Sequence, residues 1–145
     1  MAINFDEVII LDAEELAEGG IKSAYDELLP ELQKHIFLPA KLEETLDRKT
    51  PRYTVKCNGI EYIIYGPEIK THDGWQRATA AFFAIINSQI GISTCRFYAL
   101  YDGNDLCGIF LTPQQAQAAK LTIKNKMDWP YLPEFTPPWY GSYHD

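Results

Sequence analysis

The stretch DGWQRATAAFFAIINSQIG, residues Asp73 to Gly91, decides how the rest of the chain must be arranged. Trp75, Ala78, Phe82, Ile85 and Gln89 recur at helical spacing. Ala80, Ala81, Phe83, Ala84 and Ile86 fill most of the remaining circumference, so a helix here has little surface to give to water. Asp73 with Gln76 has the N-cap and N3 pattern of a capping box, and Gly91 stands where a left-handed residue would end the helix. The run is too short to span a membrane and carries Arg77 and Asn87 within it. It reads as a core helix that needs a sheet on one side and other segments around it.

The sheet comes from the flanks. Before the helix, RYTVKCNGIEYIIY places Asn58-Gly59, the pair suited to a type I′ turn, between two alternating runs. The register expected is Cys57 opposite Ile60, Val55 opposite Tyr62 and Tyr53 opposite Ile64, with Lys56 facing Glu61 on the other side. After the helix, TCRFYALYDGNDLCGIFLTP turns at Asp102-Gly103-Asn104-Asp105. Phe97 should face Phe110, Tyr98 should face Ile109 and Leu100 should face Cys107. Both faces of this second hairpin are apolar, so its strands belong inside a layered domain or reserve one face for a partner. Thr112 then opens a helix with Pro113 at its first position and Gln115 at its third.

Further from the centre, FDEVIIL (Phe5 to Leu11) suggests a strand around Val8 to Leu11, and DAEELAE a short helix capped by Asp12. Gly19-Gly20 interrupts it. Ile21, Tyr25, Leu28, Leu29, Leu32, His35 and Ile36 then continue at helical spacing, with a kink expected at Pro30. KLEETLDRK suggests one or two more helical turns, with Leu42 and Leu46 inward and Glu43, Glu44 and Asp47 outward. At the other end, residues 127–145 carry four prolines and the aromatics Trp129, Tyr131, Phe135, Trp139, Tyr140 and Tyr143, with no helical or strand period. This extended tail either packs back over the core or presents an exposed strip to a partner.

Composition bounds the function. At 145 residues and 46% hydrophobic content the chain suits one domain. Its start turns acidic at once, so no secretory signal is read and a cytosolic location is expected. Cys57, Cys95 and Cys107 are odd in number and widely spaced, which suggests free thiols with no nearby base. Residues 1 to 50 hold 12 Asp/Glu against 5 Lys/Arg, and residues 51 to 145 hold 8 of each. The net charge of −7 therefore lies wholly in the first third. That surface disfavours nucleic acid and either aids solubility alone or favours a basic partner. Its carriers are Asp12, Glu14, Glu15, Glu18, Asp26, Glu27 and Glu31.

No catalytic or metal-binding pattern stands out. His35, His72 and His144 lie apart, with no HExxH, GxGxxG, Walker or GxSxG motif, and Asp102 to Asp105 fit a turn better than a calcium loop. No cofactor is expected.

FYALYDGNDLCGIFLTPQQAQAAK followed by WPYLP resembles the small cytosolic immunity proteins of bacterial polymorphic and contact-dependent inhibition toxin systems, over residues 96 to 133. The resemblance implies a non-catalytic protein that binds one toxin domain, often a basic nuclease, and blocks its active site. The expectation is a single α+β domain, mainly an antiparallel sheet of two hairpins on a central buried helix with flanking helices, as a monomer or weak homodimer. Partner contacts are expected from the acidic segment, from Tyr98, Asp102, Asn104 and Asp105 on the second hairpin, and from Trp129 and Tyr131 in the tail. The alternative is a small adaptor or assembly subunit that buries its aromatic tail in an oligomer.

Overall fold

The computed structural model describes residues 3–91 and 94–142, and Tyr143 and His144 lie outside them. The architecture is α+β, with the expected central helix α2 at Gly74–Asn87. Among the described residues two three-stranded antiparallel sheets contact it instead of one. The first joins β2 (Glu43–Asp47), β3 (Arg52–Cys57) and β4 (Ile60–Tyr65) in that order. The second runs β1 (Ile9–Ile10), β6 (Cys107–Leu111), β5 (Arg96–Leu100). The helix α1 (Ile21–Leu32) also contacts α2, whereas α3 (Pro113–Thr122) packs Ala116 and Ala119 on Leu100, Ile109 and Leu111. The second hairpin is thus apolar on both faces because helices cover both.

From Ala78 to Asn87 every residue of α2 except the half-buried Ala84 is buried. Phe83 stacks on Phe97 at 4.7 Å between ring centroids, and Phe97 meets Phe110 at 4.6 Å. Gly108 beside them is required by this stack, since a Cβ there would collide with the Phe97 ring. Asn87 is, with Thr54 and Thr79, one of three buried polar residues among those described. Its side-chain amide donates to Phe97 O at 2.9 Å and its carbonyl accepts from Phe97 N at 2.7 Å, pinning the helix to β5 and leaving neither group unsatisfied.

Both turns form. Asn58 and Gly59 have φ of 51° and 83°, and the pairs Cys57–Ile60, Lys56–Glu61 and Val55–Tyr62 fall in the expected register. A bulge then shifts the ladder, so Tyr53 pairs with Tyr65 and not with Ile64. Glu61 lies 3.5 Å from the Arg52 guanidinium. In the second hairpin Phe97–Phe110, Tyr98–Ile109 and Leu100–Cys107 pair as expected, and Thr112 with Gln115 completes a full capping box.

Other local expectations do not hold. The side chain of Asp73 caps nothing and accepts instead from the Thr71 hydroxyl at 2.6 Å. The helix ends at Asn87, with Ser88 still right-handed, short of Gly91. Residues 43–47 form the edge strand β2 and not a helix, because a spacing of four between Leu42 and Leu46 satisfies period two as well as it does the helical period. Leu42 is buried and Leu46 exposed. Phe5–Glu7 is a 3-10 turn, which trims the first strand to Ile9–Ile10, and Glu15–Gly19 is π-helical. The α1 helix stops at Leu32 with Pro30 inside it, short of Ile36.

Candidate functional site

The acidic segment is shaped by bonds to distant parts of the chain. Asp12 Oδ1 accepts from Glu14 N at 2.9 Å, the local cap its position suggests. The same oxygen accepts from Asn104 Nδ2 at 3.0 Å, and Glu14 Oε1 accepts from that amide at 3.1 Å. Two regions that are separate in the sequence, the acidic segment and the second hairpin turn, are thereby joined.

The start of α1 is fixed from the opposite sheet. Gly20, with φ 111°, offers no side chain to cap the helix. Ile21 N donates to the Tyr53 hydroxyl at 2.7 Å, and Lys22 N donates to Glu44 Oε1 at 2.6 Å. The Tyr53 hydroxyl donates in turn to Glu44 at 3.1 Å. Burial pushes the Tyr53 phenol well above its ordinary range, so it acts as a neutral donor.

With α1 held there, an open groove of about 370 Å³ lies between it and β1. Ile9, Leu11, Leu16 and Leu28 are among its apolar lining, and Asp12, Glu15, Glu27 and Glu31 supply its charge. Among the described residues no lysine or arginine lines it. Glu31 is partly neutralised by Lys34 at 3.0 Å, whereas Glu15 and Glu27 form no ion pair among the described residues. Asp26 pairs with Lys22 at 2.9 Å, and Glu18 lines a smaller hollow with Glu44 and Arg48. The structure therefore brings four of the seven acidic candidates into one groove and sets Glu14 beside Asp12.

The remaining candidates divide by burial. Asp102 and Tyr131 line a hollow of about 150 Å³ together with Trp75, Trp139 and Tyr140. Tyr131 is only 7% exposed; its backbone exchanges hydrogen bonds with Ala99 and its hydroxyl donates to Tyr101 O. Its role is to extend the sheet beyond β5. Trp129 donates its indole N–H to Ile123 O at 2.9 Å, and Tyr98 is half-buried beside the Leu100 and Ile109 cluster. Asp105 is exposed at the turn. Part of the tail covers the fold, as Phe135 against Tyr62 also indicates, while Trp139 stays exposed.

One juxtaposition had no signal in the sequence and corrects the expectation that no base lies near a thiol. Cys95 Sγ lies 3.4 Å from His35 Nδ1, and the imidazole stacks on Phe110 at 4.2 Å. Burial raises the Cys95 thiol and lowers the His35 imidazole from their ordinary values, so both are neutral near pH 7. A thiolate nucleophile needs the opposite shifts. Among the described residues no three His, Cys, Asp or Glu side chains converge as a metal ion would require, and no helix is long and apolar enough to cross a membrane.

No family model, curated protein or solved structure matches this chain.

Proposed function

We propose that this protein is a non-catalytic binder of a basic protein partner, acting in the cytosol as an immunity protein does when it occludes the active site of a nuclease-type toxin. One observation carries the reading: Asp12, Glu15, Glu27 and Glu31 line a partly apolar groove that has no lysine or arginine among its described lining residues. Carboxylates at such a rim steer a cationic partner over a Debye length of about 8 Å at physiological salt, and the apolar lining gives it contact area on arrival. The test begins by co-purifying the tagged protein from its host and identifying any stoichiometric partner. Glu15→Lys with Glu27→Lys should then slow association at least tenfold at low salt and flatten its salt dependence. Association of the double variant at the wild-type rate would remove the acidic groove from the interface.

A second reading, an adaptor or assembly subunit, draws on the Phe37-Leu38 loop, where Phe37 is 101% exposed. Sedimentation of the purified protein separates the two. A stable oligomer that dissociates on Phe37→Ser favours assembly, and a monomer favours the partner reading.

A further inference from the structure

The two sheets have four edges: one is guarded by charge, and two have outward backbone groups already bonded. β2 carries Glu43, Glu44 and Asp47, and charge along an edge discourages pairing. On β4 the outward carbonyl of Ile63 accepts from Arg77 Nε at 2.9 Å. The edge of β5 is occupied by Tyr131, which pairs with Ala99 in both directions. β1 remains. In the antiparallel ladder Leu11 N donates to Leu106 O at 3.0 Å, and Ile9 is paired with Gly108 and Ile10 with Cys107. Hydrogen-bonding pairs alternate in such a ladder, so Ile9 and Leu11 turn their backbone groups toward β6 and Ile10 turns its N–H and C=O away. The Ile10 side chain is 86% exposed.

This open edge is also one wall of the acidic groove, and α1 forms the other through Ser23, Ala24, Glu27, Leu28 and Glu31. A strand and a helix with a gap between them is the setting in which extended peptides add to a sheet. We propose that the β1 edge takes an extended, lysine- or arginine-bearing segment of the partner protein as an added strand. The proposal rests on the basic-partner reading and says how that partner binds. Main-chain bonds to Ile10 supply the register, and cationic heads meet Glu15, Glu27 and Glu31 while their methylene stems cross the apolar lining. From Ser23 to Glu31 the helix wall runs about 12 Å, the length of about four extended residues.

Probes can separate the main-chain contribution from the charge. An acetylated, amidated peptide of alternating lysine and valine should shift the amide resonances of Val8 to Asp12 and slow exchange of the Ile10 amide about tenfold or more. Its glutamate-for-lysine counterpart should not bind. Two further versions, N-methylated on the lysine or on the valine amides, keep the charge but each block one side of the strand. One of the two should lose at least tenfold in affinity. Ile10→Pro, which removes the outward N–H without breaking a β1–β6 bond, should abolish binding, and Glu27→Gln with Glu31→Gln should weaken it and flatten its salt dependence. If both methylated peptides bind as well as the parent and Ile10 is not protected, strand addition is wrong while the basic-partner reading stands. Failure of the parent peptide to bind at the groove removes both. Protection of Ile10 that rises with protein concentration alone would show a second copy on the edge and overturn the proposal.

Discussion

The β2–β3–β4 sheet ends in EETLD, five exposed residues of which three are acidic, while the β1–β6–β5 sheet ends in two isoleucines. Both sheets are antiparallel, both contact α2, and each is built on a hairpin with a local turn signal. The difference lies at the rim. Charge on β2 makes its unpaired backbone a poor template for another chain, whereas β1 combines unused backbone groups with exposed apolar surface beside four carboxylates. Acidity near a sheet edge therefore acts in two ways: carboxylates on the strand itself must be desolvated when another strand pairs there, whereas under the proposal carboxylates across a gap from the strand meet cationic side chains without entering the ladder.

The largest effect should come from truncating the core of α2. Phe82 is fully buried, its ring 6.0 Å from Phe83 and 6.4 Å from Phe97. Phe82→Ala should cost about 3 to 5 kcal/mol, a large share of the stability of a domain this size. Chemical denaturation followed by tryptophan fluorescence measures it. If the two sheets share one core, the loss should appear as a single earlier transition. Two separated transitions would mean that the sheets fold independently and that their shared dependence on α2 is overstated.

A smaller and one-sided effect should follow from Asn58→Pro. The turn needs a left-handed residue at Asn58, and proline fixes φ near −65°. A loss of about 1 kcal/mol or more is expected. The amide shifts should concentrate on β3 and β4, with β5 and β6 little changed. An unaltered denaturation midpoint would show that the first hairpin does not depend on its turn.

What could be read from the sequence followed sequence distance. Asn58-Gly59, Asp102 to Asp105 and the Thr112 box act over a few residues, so turn type and most of the register were legible. The bulge at Tyr53 was not, because it depends on where β4 meets its neighbours. Asp73 is the local exception: its spacing fits a cap, but the hydroxyl of Thr71, only two residues away, takes its carboxylate. The acidic segment was visible as charge, yet the groove was not. It depends on Glu44 and Tyr53 holding α1, and on Asn104 reaching Asp12 across 92 positions. Of the acidic residues only the subset facing β1 lines it, and no periodicity could identify that subset before the π-helical turn at Glu15–Gly19 was known.

The smallest expected effect gives the sharpest test of the contrast between the edges. Ile10→Lys would give β1 the kind of guard that β2 already has. The side chain is 86% exposed, and its backbone groups face away from β6, so stability should change by less than about 0.5 kcal/mol. The new ammonium would lie on the lip of a groove with four carboxylates, offsetting part of their charge and repelling a lysine-bearing segment at the point of pairing. Denaturation midpoints of wild type and variant should therefore coincide while capture of a basic extended peptide falls. A loss of stability above about 1 kcal/mol would mean that Ile10 is covered in solution. Repeating the measurement across protein concentration then identifies the cover. A deficit that vanishes on dilution points to a second copy seated on β1, and a constant one points to a segment of the same chain folded over the edge.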